Sequence, residues 1–353
     1  VEEGGRHIPI DTGFMVYNRK NYPNLTQMFH HLEIKSYETE MSFAVTLDQG
    51  QHEYAGSDIN TFFGQRRNLF NPEHWRMLRD VMKFNRVASQ ELAQLDDNLG
   101  LGDYLDRHEL GREFRYRYLY PMAAAIWSCP PADMQNFPAA RFIRFFHNHG
   151  LLSVNDHPQW YTVDGGASSY VDAFMKDLGA TVKTGERVTQ VIRQEDEINV
   201  LTEHGHASFD EVILACHSDQ ALRLLDKPTT AEQTALQAIP YQQNRVLLHT
   251  DSRLMPARKR VWSSWNFIGS SDDGGLMSPV SVTYWMNSLQ NLATSTDYFV
   301  SLNPLVEPDA EKVIAEFAYD HPVFGSNSVK AQRLIQEQQG KQHTWYCGAW
   351  LGY

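Results

Sequence analysis

One short run constrains this chain more than any other. Asp210-Glu211 leads into Val212-Ile213-Leu214-Ala215-Cys216. An acidic pair followed by a continuous apolar run is the pattern of a strand buried on both faces. Such strands lie in parallel sheets covered by helices, so the run points to an α/β architecture. Thr344-Trp345-Tyr346-Cys347 reads as a last buried strand, and a Gly-rich turn follows it. Upstream, Gly165-Gly166 precedes a helical stretch from about Ser168 to Leu178, which Gly179 ends. Short β-rich pieces follow at Thr181–Lys183, Val188–Gln194 and Ile198–Thr202, with a turn at His204-Gly205. Ser218 to Leu225 reads as a helix.

Two further blocks are interleaved with these pieces. The block 17–158 is mostly helical. In it, Asn71-Pro72 opens a long helix with Pro at its first position. Trp75, Leu78 and Met82, then Val87, Leu92 and Leu95, recur along it at roughly helical spacing. Residues 23–34, Asp103–Arg107, Arg112–Tyr120 and Pro138–His149 also read as helical, with a break at Pro130-Pro131. Residues 41–47 and 52–55 read as a hairpin around Asp48-Gln49-Gly50. The block 241–305 is β-rich, with strand candidates at 244–250, 261–268 and 280–286. Residues 8–16 read as strand, turn and strand, and Asp309–Phe317 as a helix. Discontinuous domains of this kind put a cleft at their junction.

Composition closes off several functions. Lys and Arg number 31 against 43 Asp and Glu, a formal charge of −12. That balance argues against electrostatic nucleic-acid binding. Cys129, Cys216 and Cys347 are far apart, with no Cys-x-x-Cys, so neither a disulfide framework nor a zinc ribbon is supported. A reducing, cytoplasmic setting is expected. No apolar run reaches the roughly 18 residues that span a bilayer. A peripheral membrane contact is left open. No metal is expected: His147 and His149 are two apart on a helix and point away from each other. Cys216-His217 are strand neighbours facing opposite sides. Gly166-Ala167-Ser168-Ser169-Tyr170 lacks the closing Gly of a nucleophile elbow.

Four pieces occur in a fixed order: Asp11-Thr12-Gly13-Phe14; Val163-Asp164-Gly165-Gly166-Ala167-Ser168-Ser169-Tyr170-Val171; Val188 followed by Phe209–Cys216; and Trp345-Tyr346-Cys347-Gly348. The series resembles the flavin-containing amine oxidoreductase superfamily. Pro121–Ser128 together with His147–Leu152 resembles a bacterial branch of predicted NAD/FAD-binding proteins. The resemblance implies an α/β, two-domain FAD-dependent oxidoreductase fold. Its discontinuous cofactor domain would comprise 1–16, 160–240 and 341–353. Its substrate domain, a mixed β-sheet plus helices, would comprise 17–159 and 241–340. No Gly-x-Gly-x-x-Gly opens the sequence, so the chain reads as the interior of a longer flavoprotein, with the phosphate-binding loop upstream of residue 1.

The resemblance also assigns cofactor contacts. Gly4 and Gly5 match the end of a segment where backbone approaches the pyrophosphate, although an ordinary turn fits equally. Asp11, Thr12, Gly13 and Phe14 match the segment under the flavin ring. Gly165 and Gly166 match a helix-packing pair, for which packing alone is an equal explanation. Val188 matches the residue whose backbone grips adenine. Ala215 and Cys216 would lie near the ribityl chain, and Gly348 and Ala349 where backbone N–H groups meet phosphate or ribityl oxygens. The substrate pocket is expected at Trp265, Tyr284, Trp285 and Trp350, with core packing as the alternative for each. The Lys that amine oxidases place near the flavin has no counterpart; Lys259 lies in a basic loop, so the catalytic residue is unassigned. The expected function is hydride abstraction by FAD from a small, apolar or amine substrate, with lipid-like dehydrogenation preferred. The alternatives are a flavin-dependent isomerase or mutase without net oxidation, and a non-catalytic binding protein that keeps the fold.

Overall fold

The computed structural model describes residues 1–352 apart from 97–98, 128–132, 153–157, 271–280 and 325. The break expected at Pro130-Pro131 lies outside the described residues. Compactness divides the chain into one unit of Val1–Gly179 with Asn244–Tyr319 and a second of Ala180–Gln243 with Asp320–Tyr353. Residues 1–16 and 160–179, read above with the cofactor domain, fall in the first unit.

A seven-stranded mixed sheet organises the first unit. Its order is Val313–Pro322, Tyr241–His249, Phe299–Leu302, Ser281–Trp285, Trp265–Gly269, Phe43–Leu47 and His52–Ala55. Trp265–Gly269 runs parallel to Phe43–Leu47 and antiparallel to Ser281–Trp285. The hairpin expected around Asp48-Gln49-Gly50 forms its edge. A helical core packs separately, with Phe84, Tyr104, Phe114, Tyr120, Phe142 and Phe146 all fully buried. Part of the aromatic richness is therefore ordinary core.

The helix Pro72–Glu91 starts where Asn71 predicts, and the Asn71 side chain accepts the Glu73 N–H at 3.0 Å. Its buried face matches the one read in the sequence only in part: Leu78, Leu92 and Leu95 pack on the cores. His74, Met77, Asp80, Phe84 and Ala88 turn inward, while Trp75 and Met82 are exposed. Buried polar residues outvote apolar periodicity here because they have partners. Asp80, for example, accepts the Gly111 N–H at 2.9 Å.

Other expectations are corrected. Residues 8–16 contain no strand; a two-strand hairpin, Glu2–Glu3 with Arg6–His7, precedes them. Thr181–Lys183 is not a strand. Asp309–Phe317 is not a helix but a short turn, Ala310–Lys312, leading into the strand Val313–Pro322. Its residues alternate in burial with a period of two: Ala315, Phe317 and Tyr319 pack on the apolar core while Ile314 and Glu316 face out. A strand period of β-branched and aromatic residues beats the helix reading there.

The second unit holds an antiparallel sheet, Gly205–Phe209, Ile198–Thr202 and Val188–Arg193. Beside it, Val212–Leu214 pairs with Thr344–Tyr346 in parallel register. Three helices, Ser218–Leu224, Thr230–Gln237 and Ser326–Gln336, belong to the same unit. The opening expectation is half right. The strand is parallel, but only one face is covered: Leu214 and Tyr346 are buried, while Ile213 is 65% and Trp345 40% exposed.

Candidate functional site

The expected site residues form two groups, one in each unit. In the first unit, the helix Ala167–Leu178 begins at Gly166, which has no side chain to cap it. Asp11 does this from a distant part of the chain. Its carboxylate accepts the Ala167 N–H at 2.9 and 3.1 Å. A carboxylate suits the positive end of the helix dipole. Gln290 completes the clamp: its Nε2 donates to Asp11 Oδ2 at 3.0 Å, and its Oε1 accepts the Asp11 N–H at 2.9 Å. Burial raises the Asp11 carboxyl above its usual range, against the Ala167 hydrogen bond. Gly166 has φ +76°, and a Cβ there would sit 3.1 Å from Asp11 Oδ1. Both the backbone and the approach of Asp11 demand glycine.

Thr12, Gly13 and Phe14 continue from this anchor. The Thr12 hydroxyl meets the Tyr319 hydroxyl at 2.7 Å. A Cβ on Gly13 would meet nothing within 4 Å. Phe14 is held at φ +47° and is 49% exposed, which is costly for an aromatic residue. Gly4 and Gly5 form the turn of the exposed hairpin, with φ +58° and +75° and nothing near either. Their geometry is that of a two-residue turn.

In the second unit, the carboxyl ends of Val212–Leu214 and Thr344–Tyr346 lie side by side, tied by the Cys347 N–H to the Leu214 carbonyl at 3.1 Å. Ala215-Cys216 leaves one strand and Gly348-Ala349 the other, so four expected residues meet there. Ligands of open α/β sheets bind outside the carboxyl ends of parallel strands. Cys347, Gly348 and Ala349 are exposed. Gly348 has φ +147°, and a Cβ would meet the Trp350 Nε1 at 2.8 Å. Burial raises the Cys216 thiol, which therefore stays protonated at neutral pH. Val188 opens its strand opposite Thr202, with a bulge before Gln190. Each unit thus carries backbone and glycines of the kind that could approach a flavin cofactor, Gly166 in the first and Gly348 in the second.

The expected pocket residues are divided by the sheet. Trp265 and Tyr284 are direct cross-strand partners, with ring centroids 4.9 Å apart and nearly perpendicular. Trp285, the next residue, faces the other side and packs on Trp262 at 5.4 Å. Its indole N–H donates to Asp297 at 2.9 Å. The Trp265 indole N–H is buried with no partner among the described residues. Burial pushes the hydroxyls of Tyr284 and Tyr118, in the same apolar cluster, upward, Tyr118 to about 12. This is an aromatic wall with one unmet donor among the described residues. Trp350 lies elsewhere. It is 1% exposed in the core of the second unit, and its indole N–H donates to the Cys216 carbonyl at 3.0 Å.

Other candidates dissolve on inspection. Lys259 is largely exposed, with Nζ 5.1 Å over the Trp262 ring and 3.8 Å from Asp297. Ser301, His249 and Asp251 line up like a nucleophile, a base and an orienting acid. However, His249 Nδ1 accepts the backbone N–H of Asp251 at 3.0 Å, so Nε2 carries the proton toward Ser301 at 2.8 Å. Burial lowers His249 to about 4, which keeps it neutral. It is a donor in a buried network that continues to Thr283, not a base. No group of metal ligands occurs among the described residues. Sequence reasoning missed Gln290 and Tyr319, the partners of Asp11 and Thr12. Each lies hundreds of residues away and carries no motif.

A Mycobacterium tuberculosis protein with the provisional name flavin-containing monoamine oxidase AofH is 28% identical over 141 residues. That match covers 40% of this chain and 31% of the relative, so the chain spans about a third of the length of the curated relative it matches. Among solved structures, a conjugated-linoleic-acid (CLA)-producing fatty acid isomerase from P. acnes has a TM-score of 0.66 at 13% identity, covering 100% of this chain and 84% of the other. Putrescine oxidase bound to putrescine gives 0.63 at 14%, covering 96% and 82%. Cyclohexylamine oxidase from Brevibacterium oxydans gives 0.61 at 11%, covering 98% and 83%. The fold is therefore that of FAD-dependent amine-oxidase-like proteins. The profile of the flavin-containing amine oxidoreductases matches residues 1–310, and the chain belongs to that family.

Proposed function

We propose that the chain serves FAD-dependent oxidation of a small molecule, with a hydride leaving a C–H bond of an apolar or amine substrate. FAD, when bound, supplies the hydride acceptor. The observation that carries the substrate class is the Trp265–Tyr284 pair, an aromatic wall packed against an apolar cluster. Such a wall orients an apolar group and leaves the redox step to the cofactor. The unmet Trp265 N–H gives the wall one point at which a substrate carbonyl or hydroxyl can be held. Asp11 and Gln290 would fix the backbone of Thr12–Phe14 against the ring, and Gly348-Ala349 would offer N–H groups to the phosphates. A cytoplasmic setting belongs to the same reading, supported by the dispersed cysteines. No helix among the described residues is long and apolar enough to cross a membrane.

The similarity in fold to a fatty acid isomerase favours a second reading, in which the flavin turns over without net oxidation. One experiment separates the two. Purified protein loaded with FAD is mixed anaerobically with long-chain unsaturated acids and with primary amines, and the flavin absorbance is followed. Bleaching that persists until an oxidant is added supports oxidation. Product formed without bleaching or oxidant supports isomerisation. Neither bleaching nor product with either substrate class, in protein that holds FAD, overturns both.

A further inference from the structure

The apolar periodicity of Pro72–Glu91 that faces water has a function of its own to account for. Trp75, Arg79, Met82 and Arg86 are spaced four, three and four residues apart, which places them on one helix face. Trp75 is 47% and Met82 63% exposed. Just before the helix, the turn Arg66–Phe70 ends in Leu69 and Phe70, and Phe70 is 89% exposed. The tip is held in place: the Trp75 indole N–H donates to the Leu69 carbonyl at 2.9 Å, and the Trp75 ring packs on Phe63 at 4.8 Å. Leu69, Phe70, Pro72, Trp75, Arg76 and Arg79 line an open surface recess of about 510 Å³.

Charge says what this surface suits. Residues 66–86 carry six Lys and Arg against two acids, Glu73 and Asp80, in a chain of net charge −12. Arg66 and Arg67 donate to backbone carbonyls and Asn60 rather than to carboxylates. Arg76 is half exposed, 3.9 Å from Glu113, and Arg79 donates to the buried Asp80 carboxylate at 3.0 and 3.1 Å while its side chain stays 69% exposed. At physiological salt, charges are screened beyond about 8 Å, so the local cationic rim and not the overall charge governs contact. Exposed Trp, Phe and Leu ringed by Arg is the composition of a surface that lies in a bilayer interface.

We propose that this face docks the protein on an anionic bilayer, with Phe70 and Leu69 entering the headgroup boundary and Arg76 and Arg79 meeting lipid phosphates. The docking is independent of the redox reading. It is tested by sedimenting the full chain with vesicles of phosphatidylcholine alone and of phosphatidylcholine with phosphatidylglycerol. The expected result is binding to the mixed vesicles, weakened by added salt. Phe70→Asp should reduce that binding by about tenfold or more, and Arg76→Gln by about fivefold. Both sites are exposed, so their melting curves should match the unmodified chain. Phe209→Asp, at an exposed apolar residue of the second unit, should bind as before. Absence of binding, equal binding by Phe70→Asp, or loss with Phe209→Asp would each overturn the proposal. So would self-association abolished by Phe70→Asp without vesicle binding, which would make this face a contact between copies.

Discussion

Gly13 and Trp350 should respond to substitution in opposite ways. Gly13 looks replaceable in the folded chain: its φ is ordinary and a Cβ would meet nothing within 4 Å. Gly13→Val should therefore leave the melting temperature unchanged, while a Cβ under the ring should expel FAD. Loss of bound flavin at constant stability is the expected pair of readings, and full flavin content in the variant would make Asp11–Phe14 a plain turn. Trp350 behaves in the opposite way. It is buried among Leu214, Ala221 and Ile335 in the core of its unit. Trp350→Ala should cost about 3–5 kcal/mol, visible as a large drop in melting temperature. The sequence made Trp350 the best aromatic for the pocket because it follows Cys347-Gly348. Chain proximity to a glycine turn cannot report which way an indole points.

At the scale of elements, the strand His52–Ala55 and the helix Pro72–Glu91 bring His52 and His74 to a ring separation of 5.3 Å inside an aromatic cluster. Burial lowers His52 to about 3 and His74 to about 4, from 6.5. An unfolded chain takes up protons below pH 6.5, whereas these folded rings do not until the pH nears 4. Stability should hold above pH 6.5 and fall as the pH drops toward 4, by up to about 1.4 kcal/mol per pH unit for each histidine. His249 adds to the same slope. Melting curves between pH 7 and about 5.5 test this above the range where carboxylates of the unfolded chain take up protons. His74→Gln should flatten the slope, and an unchanged slope would contradict the assignment. The helix itself also explains a misread face. Its buried side includes His74 and Asp80, so hydropathy alone pointed to Trp75 and Met82. In Val313–Pro322, by contrast, the alternation is present in the sequence itself, with Ala315, Phe317 and Tyr319 on one face.

Across the whole molecule, each unit has its own core, and the second relies on a buried ion pair. Arg193 and Glu232 are 6% and 3% exposed at their side chains and meet at 2.6 Å. Burial works against the Glu232 carboxylate, but hydrogen bonds from Arg193, Tyr346 and Thr229 outweigh it and hold it near 2. Removing one partner strands the other charge. Arg193→Met should cost about 3–5 kcal/mol, read in the second unit by loss of amide-exchange protection over Val188–Arg193 and Thr230–Gln237. Protection that is retained there would mean the pair is dispensable.

The sequence alone determined what local chemistry can determine. Asn71-Pro72 opened a helix, Gly179 closed one, Asp48-Gln49-Gly50 turned a hairpin, and a short apolar run after two acids became a parallel strand. The ordered motifs identified the family. Tertiary structure alone decided which faces those elements bury and which distant residues they join. Asp11 caps a helix 156 residues away, Gln290 clamps Asp11 from 279 residues away, and Trp265 meets Tyr284 through strand register. Caps, turns and strand runs depend on neighbours within a few residues, so their signals stay in the sequence. Burial and long-range pairing depend on what the rest of the chain brings to the same place, and no local pattern encodes that.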